Sequence, residues 1–323
     1  MGKPVGLNYG IYLIDDMDLK VEGRTGTYVI VDDKLTLIET SASPSIPYIL
    51  EGLKQLSIDP KTIDYIIVTH IHLDHAGGAG LLLNHCPNAK VIVHPKGKRH
   101  LADPSRLIAG ARAVYGADFD QLFDPILPVP EDKLLVKQDG ETLTIGQNRT
   151  LTFLDSPGHA NHHFAIFDPV SNGIFTGDTS GIYYHQVRDK LTFYLPSTSP
   201  NQFNPEVMLQ SNDRFAKLNP SRIYFGHYGM SEDPVEVFNQ LKEWLPKFVN
   251  ATERVMKQME SAPIETITTA IRDQLYETVS AYLDQYGIAK DHPVYDILNL
   301  DLHVSAMGLA EYWMKERTPA NGK

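Results

Sequence analysis

The chain has one cysteine, Cys86, among its 323 residues. One cysteine excludes an internal disulfide, and such a composition is typical of proteins kept in a reducing compartment. The sequence also lacks a run of about 18 apolar residues, which a membrane-spanning helix requires. Residues 1–16 lack the basic and apolar regions of a secretory signal. We therefore expect a cytoplasmic protein with no membrane partner.

Positive charge is scarce as well. Lysine and arginine number 29 against 40 aspartates and glutamates, and the formal net charge is -11 at pH 7. Binding to nucleic acid depends on a basic surface that neutralises phosphates, so the charge argues against a nucleic-acid partner. The apolar fraction of 42% is ordinary for a globular protein, and the length allows one large domain with an appendage.

The most informative stretch reads Thr-His-Ile-His-Leu-Asp-His-Ala-Gly-Gly at residues 69–78. Within six positions it contains four side chains that could bind a metal ion: His70, His72, Asp74 and His75. Imidazole and carboxylate are common ligands of first-row divalent ions. The apolar run at residues 64–68 predicts a buried strand, and the two glycines permit a tight turn into a helix. This pattern predicts a metal site at the end of a strand.

Three later predicted strands end in a similar way, with a glycine followed by a residue that could bind a metal. The motifs are Ser-Pro-Gly-His at 156–159, Phe-Thr-Gly-Asp at 175–178 and Tyr-Phe-Gly-His at 224–227. Glycine lets the backbone turn sharply there and bring a side chain close to an ion. His159, Asp178 and His227 therefore join the candidate ligands.

The order of predicted elements divides the chain in two. Strands and helices alternate up to residue 230, which predicts central sheets with helices outside. Residues 103–132 are rich in proline and predict a loop or a helical flap over the site. Beyond residue 230 the apolar spacing predicts three helices, at 234–259, 264–286 and 294–317. We assign residues 1–230 to one α/β domain and residues 231–323 to a helical extension, which flanks the site, forms a homodimer surface, or does both.

The four motifs, in this order and with these gaps, resemble the metallo-β-lactamase superfamily of hydrolases, and the chain is similar to its glyoxalase II-like branch. The resemblance spans roughly residues 20–230. It implies a four-layer αββα sandwich and two divalent metal ions, with zinc expected and iron or manganese as alternatives. The ligands it implies are His70, His72 and His159 for the first ion, Asp74, His75 and His227 for the second, and Asp178 as the bridge.

Two ions that share a carboxylate can also share a water molecule, whose pKa falls from about 15.7 towards about 7 on metal binding. The hydroxide would then attack a carbonyl or phosphoryl centre. We expect a dinuclear metal-dependent hydrolase that acts on a carboxylic ester, thioester or lactone of a small molecule. The resemblance also gives Asp74 a catalytic role, the transfer of a proton to the leaving group.

Four side chains are candidates for lining the substrate pocket. Tyr183, Tyr184 and His185 follow Asp178, and Tyr228 follows His227. Their hydroxyl or imidazole groups could donate to a developing oxyanion; packing at the sheet edge is the alternative. Lactonases of the superfamily usually carry a tyrosine three residues after the bridging aspartate, where this chain has Gly181, so the lactone is the weakest of the three substrates.

Other residues near the motifs have two interpretations each. Glu39 stands where the superfamily often has an aspartate below the site, and it either supports a ligand by hydrogen bonding or lies on the surface. His162 and His163 directly follow the third ligand motif, and they either line the site or begin a strand.

Two other activities fit the same residues. A phosphodiesterase for small molecules would use the same ligand set. A di-iron redox or oxygen-binding protein would share the fold, but such relatives usually have a glutamate where this chain has His72.

Overall fold

The computed structural model describes residues 2–317 and divides them into two compact units. The first unit contains the chain up to Ser156, together with His162–Gly177 and Asn219–Pro234. The second contains Pro157–Asn161, Asp178–Leu218 and the residues from Val235 onward. Two inserted segments thus group with the C-terminal helices, so the units do not follow a single cut near residue 230.

Strands and α-helices alternate over residues 36–136, as predicted, whereas residues 5–38 and 134–195 form consecutive strands with no α-helix between them. In chain order the strands are β1 Val5–Gly6, β2 Ile11–Asp15, β3 Gly26–Ile30, β4 Thr36–Ile38, β5 Tyr65–Ile67, β6 Lys90–Val93, β7 Leu134–Val136, β8 Thr142–Gly146, β9 Arg149–Asp155, β10 Phe164–Asp168, β11 Gly173–Gly177, β12 Ile182–Tyr183, β13 Tyr194–Leu195, β14 Arg222–Phe225 and β15 Met230–Ser231. The helices are α1 Ile46–Gln55, α2 Leu73–Ala76, α3 Ala79–Leu83, α4 Lys98–Ala102, α5 Ser105–Tyr115, α6 Phe119–Phe123, α7 Pro205–Ala216, α8 Pro234–Gln258, α9 Ile264–Gln285 and α10 Val294–Arg317. The mixed α/β class and the helical C-terminal region are confirmed.

Two sheets form the framework of the first unit. One has the strand order β1-β2-β3-β4-β5-β6-β7, antiparallel as far as β4 and parallel from β4 to β7. The other has the order β15-β14-β11-β10-β9-β8, antiparallel except for the pair β11 and β14. The first sheet begins near the N-terminus, with β1 and β2 preceding β3 in both chain order and strand order.

One apolar core lies between these two sheets. Ile30, Ile38 and Ile67 of the first sheet are buried together with Phe153 and Phe164 of the second. A second cluster joins the opposite face of the first sheet to α1 and α3. Burying each such side chain stabilises the fold by roughly 1.5–3 kcal/mol. The first unit is therefore a helix layer on a sheet that packs on a second sheet.

The parallel strands end at common sheet edges, so the ligand motifs that follow them begin close together. Ile38 pairs with Ile67, and Ile67 pairs with Ile92, so β4, β5 and β6 end side by side. In the other sheet Gly177 pairs with Phe225 across the parallel strands β11 and β14. Residues that follow these strands leave the sheets at the same edge, which is where the ligand motifs begin.

The predicted flap at residues 103–132 contains α5 and α6. Pro104 precedes α5 at its N-terminal cap position, where a missing backbone N–H is tolerated, so proline begins this helix instead of breaking it. Phe119 and Phe123 are buried in a small cluster that includes Leu73 of the ligand motif. The segment thus packs against the turn that carries Asp74 and His75.

The second unit contains the strand pair β12–β13 and the helices α7, α9, α10 and almost all of α8. Trp244 of α8 lies edge-on to Phe193 and Tyr282, with ring centroids 5.8 Å and 5.1 Å apart. The three predicted C-terminal helices are confirmed, with ends within two residues of expectation. Among the described residues, no helix has both the length and the apolar composition needed to cross a membrane.

Asp16, which follows β2, provides a test of pH-dependent stability. Its side chain is fully buried, and Thr27 Oγ1 donates to its Oδ2 over 3.1 Å. Burial raises the pKa of the Asp16 carboxyl well above its usual value. The folded protein therefore retains a proton that the unfolded chain releases, so this group lowers stability as pH rises from about 3.9 through the folded-state pKa.

We expect Asp16→Asn to raise the melting temperature at pH 7 by a few degrees. A gain of 1 kcal/mol in the free energy of unfolding corresponds to about 2–4 °C. Asparagine retains an acceptor for Thr27 and carries no charge to desolvate. The gain should shrink towards pH 4, as calorimetry from pH 4 to pH 8 would record. The exposed Asp291→Asn serves as control. A lower melting temperature for Asp16→Asn at pH 7 would contradict this account.

Candidate metal centre

His70 and His72 converge just after β5. His70 is fully buried, and its Nε2 lies 3.0 Å from His72 Nδ1. The two rings meet edge to face, with centroids 4.6 Å apart. Two ring nitrogens this close, both at a strand end, are suited to binding one ion together.

Asp74, His75 and His227 form a second group in the first unit, with one potential ligand atom from each within 4.8 Å of the others. Asp74 Oδ2 lies 3.7 Å from His75 Nε2 and 3.7 Å from His227 Nε2. An ion with tetrahedral bonds of about 2.1 Å holds its ligand atoms about 3.4 Å apart. Both distances from Asp74 are within a few tenths of an ångström of that value, and the two nitrogens and one oxygen suit zinc, iron or manganese.

A tyrosine hydroxyl tethers the turn that carries His227. Tyr28 Oη lies 2.7 Å from the carbonyl oxygen of Phe225 and 2.6 Å from that of Gly229. Burial raises the pKa of the Tyr28 hydroxyl well above its usual value, so this group stays protonated as a donor. Gly229 has a φ of 99°, which glycine adopts readily. The tether fixes the backbone on both sides of His227.

Glu39 lies behind both ligand groups of the first unit. It is buried, with Thr69 N donating to its Oε2 over 3.4 Å and the Thr69 hydroxyl donating to its Oε1. Glu39 Oε1 also lies 3.7 Å from His75 Nδ1, and Thr69 Oγ1 lies 3.1 Å from His70 Nδ1. The Nδ1 atoms of both histidines thus face this network, which leaves Nε2 as the ligand atom. The surface alternative for Glu39 is wrong.

We expect Glu39→Gln to weaken metal binding by about 10–100-fold, the usual effect of losing a partner behind a metal ligand. The amide cannot provide a carboxylate for both Thr69 and His75. Equilibrium dialysis against zinc would measure the change, with the exposed-face variant Glu51→Gln as control. Unchanged affinity in Glu39→Gln would show that the carboxylate has no part in ligand orientation.

His159 and Asp178 come together in the second unit. His159 Nε2 lies 3.6 Å from Asp178 Oδ2, and both side chains are buried. His159 Nδ1 donates to the carbonyl oxygen of Ser197 over 3.0 Å. Because a carbonyl only accepts, Nδ1 carries a hydrogen, and Nε2 is the ring nitrogen that faces Asp178. Gly158, with a φ of 125°, has no room for a methyl group against the backbone of Met208.

His162 and His163 pack beside the first ligand pair. The His163 ring stacks on that of His70 with centroids 4.9 Å apart, and His163 Nδ1 lies 2.8 Å from Ser156 Oγ. The His162 ring lies 5.4 Å from that of His72, edge to face. Of the two interpretations, the structure favours residues that support the site. The sequence indicated that His162 and His163 lie near the site, but it gave no sign that His163 stacks on His70.

The predicted substrate-lining residues have different environments. Tyr184 is buried in the second unit, and its hydroxyl donates to Asp301 Oδ2 over 3.0 Å, which indicates packing. Tyr183 and His185, in the same unit, and Tyr228, in the first, are partly exposed. Burial raises the pKa of the Tyr183 hydroxyl. Their role towards a substrate stays a prediction.

The profile of the metallo-beta-lactamase superfamily matches residues 22–227, which is most of the chain. The chain belongs to this superfamily. Its fold binds divalent metals, and the histidine and aspartate groups described above lie in the matched region. The resemblance of the four motifs to the superfamily is thereby confirmed, and the similarity to its glyoxalase II-like branch stays a prediction.

One relative of this metallo-β-lactamase superfamily member is the metallo-beta-lactamase fold-containing protein ST1585 of Sulfurisphaera tokodaii. The two are 30% identical over 225 residues, which cover 68% of this chain and 78% of the relative. The crystal structure of ST1585 from Sulfolobus tokodaii matches with a TM-score of 0.67 at 22% identity, covering 94% of this chain and 98% of that chain. The structural match supports the fold over the C-terminal region as well.

Oxidoreductases also appear among the relatives of this superfamily member. The nitric oxide reductase of Moorella thermoacetica is 28% identical over 169 residues, which cover 49% of this chain and 36% of that protein. The chain therefore matches about a third of that relative. Membership of the superfamily establishes the fold and its metal-binding character. Both hydrolytic and redox reactions occur on this fold.

Proposed function

We propose that this protein is a dinuclear metal-dependent hydrolase that acts on a small carboxylic ester or thioester, with a lactone as the less favoured substrate. The observation that carries the proposal is His72, whose Nδ1 lies 3.0 Å from His70 Nε2. An imidazole at this position gives a nitrogen-rich ligand set, which is typical of zinc. Redox relatives of this fold usually carry a glutamate there.

We assign the ligands as the superfamily motifs imply. His70, His72 and His159 would bind one ion, Asp74, His75 and His227 the second, and Asp178 would bridge the two. The assignment is supported by the order of the motifs and by the distances among ligand atoms inside each unit.

Bound ions in such a centre polarise a carbonyl oxygen and lower the pKa of a water molecule towards neutrality. The protein itself contributes Asp74, a carboxylate that can accept and release a proton. The Asp74 side chain is 26% exposed, whereas those of His75 and His227 are 1% and 6% exposed. Asp74 can therefore contact a substrate as well as its neighbours in the ligand group. We assign Asp74 the uptake of the proton that the attacking water releases and its transfer to the departing alkoxide or thiolate.

A substrate panel combined with metal analysis tests the proposal. The panel consists of p-nitrophenyl acetate, S-lactoylglutathione, a homoserine lactone and bis-p-nitrophenyl phosphate, assayed with the zinc-loaded protein. We expect two metal ions per chain and turnover of the acetate or the thioester. Turnover of the phosphodiester alone would favour the phosphodiesterase, and no turnover of any substrate would contradict the hydrolase.

A di-iron oxidoreductase is the second candidate, favoured by the 28% identity with the nitric oxide reductase of Moorella thermoacetica. The same preparation distinguishes it. An iron-loaded centre that reduces nitric oxide or oxygen, with no ester or thioester turnover, would replace the hydrolase with this candidate.

A further inference from the structure

Ser197 contacts both ligand residues of the second unit. Its hydroxyl donates to Asp178 Oδ2 over 2.9 Å, and its carbonyl oxygen accepts from His159 Nδ1 over 3.0 Å. Ser197 is itself buried, with 8% of its surface exposed. One residue thus constrains the rotation of the Asp178 carboxylate and the tautomer of His159.

The C-terminal helix α10 supports the loop that carries Ser197. Next to Ser197, the fully buried Thr198 donates its hydroxyl to the carbonyl oxygen of Ser305 over 3.0 Å. Gly308, one turn further along α10, faces the same loop, and a methyl group there would overlap the Thr198 carbonyl oxygen. A glycine within a helix costs about 1 kcal/mol relative to alanine. Here it permits a close approach of helix and loop.

Strand β13, which precedes this loop, is held by α8. Gln240 Oε1 accepts from Tyr194 N over 2.9 Å, and Gln240 Nε2 donates to the carbonyl oxygen of Thr192 over 2.8 Å. Helices of the C-terminal region therefore hold both the loop and the strand that precedes it.

A different helix supports the backbone after Asp178. Asn212 of α7 donates to the carbonyl oxygen of Thr179 over 2.7 Å, and Ser180 Oγ donates to Asn212 Oδ1 over 2.7 Å. These bonds hold the main chain of this segment. Ser197 differs from Asn212, because its hydroxyl donates directly to the Asp178 carboxylate.

We propose that Ser197 is a positioning residue of the metal centre, and that α10, through Ser305 and Gly308, holds it in place. The inference rests on the ligand roles of His159 and Asp178 in the proposed function. A carboxylate whose orientation is fixed beforehand loses less conformational freedom when it binds an ion, so the loss of that constraint weakens binding. The C-terminal helical region would then contribute to metal affinity.

Metal titration of Ser197→Ala, Ser197→Thr and Ser199→Ala tests the serine. The probes are Zn²⁺ by equilibrium dialysis and Co²⁺ by its visible absorption spectrum. We expect Ser197→Ala to bind one of its two ions about 10–100-fold more weakly and to show an altered cobalt spectrum. Ser197→Thr should restore both properties, because it retains the hydroxyl. The neighbouring Ser199→Ala should match the wild type.

The melting temperature of the metal-free protein separates positioning from folding. For Ser197→Ala it should stay within a few degrees of the wild type. A large fall that Ser197→Thr does not restore would overturn the proposal in favour of a purely structural role. Equal affinity for both ions in Ser197→Ala and wild type would also overturn it. If the wild type itself fails to bind two ions, the proposed function fails first.

Gly308→Ala tests the contribution of α10. The added methyl group must displace the loop, so we expect a lower affinity for one ion, again by about tenfold or more. Gly110→Ala is the matched control, because Gly110 also lies within a helix, and a methyl group there meets no atom within 4 Å. If Gly308→Ala binds both ions as tightly as Gly110→Ala, helix α10 has no part in the site.

Discussion

Asp178→Ala is expected to abolish turnover while the protein stays folded. In the proposed centre this carboxylate bridges both ions, so its loss removes a ligand from each. A fall of 10³-fold or more corresponds to about 4 kcal/mol or more of transition-state stabilisation. The fold should survive, because Asp178 pairs with the polar side chains of His159 and Ser197 and its loss takes no apolar side chain from the core. Steady-state kinetics with the best substrate of the panel, together with circular dichroism, would measure both effects.

His159→Ala should have the same outcome by removing a ligand of one ion. The control for both variants is Asp213→Ala in the same unit, where the carboxylate is 52% exposed and lies 2.7 Å from Lys242 Nζ. This variant removes an aspartate without touching the ligand groups. Near-normal turnover by Asp178→Ala or His159→Ala would show that the ligand assignment is wrong.

The largest loss of stability is expected from Arg149→Met at the start of β9. The Arg149 guanidinium is 2% exposed and pairs with the fully buried Asp168, with Nε 3.1 Å from Oδ1. It also donates to Asp32 Oδ2 over 3.2 Å and to the carbonyl oxygen of Tyr9 over 2.6 Å. Methionine leaves the Asp168 charge buried without its cation. Breaking a buried pair in this way costs about 3–5 kcal/mol.

A cost of that size would lower the melting temperature by roughly 6–20 °C, and thermal denaturation would detect it easily. Lys34→Met is the matched control, because the Lys34–Asp64 pair is 52% and 31% exposed, and such pairs contribute about 1 kcal/mol or less. The double variant Arg149→Met with Asp168→Leu should recover part of the loss. Similar melting temperatures for Arg149→Met and Lys34→Met would mean that the buried pair stabilises little.

The sequence indicated the ligand residues because their chemistry is concentrated in short motifs at strand ends. A histidine pair two positions apart and three strand-end glycines need no long-range information to be recognised. The C-terminal helices were equally accessible, since their apolar spacing continues over more than twenty residues each. In both cases the signal is local in the chain.

Other features depend on contacts between distant parts of the chain. Strand β2 reads Ile-Tyr-Leu-Ile-Asp, an apolar run too short to separate strand from helix by periodicity. Thr69 and Ser197 have hydroxyl side chains, which are common everywhere and give no spacing signal. Glu39 had two interpretations until its burial decided between them. The residues that hold the ligands were therefore harder to predict than the ligands.

The second ligand group also has a consequence for biosynthesis. Asp74 and His227 are about 150 residues apart in the sequence, although their ligand atoms lie 3.7 Å apart in the fold. A ribosome that adds 5–20 residues per second needs roughly 8–30 seconds to cover that distance. During this interval the nascent chain carries two ligands of the group and lacks the third. A complete site for this ion arises only after His227 has left the ribosome, so metal loading there is expected to follow the synthesis of residues 1–227 and cannot guide the folding of the chain before that point.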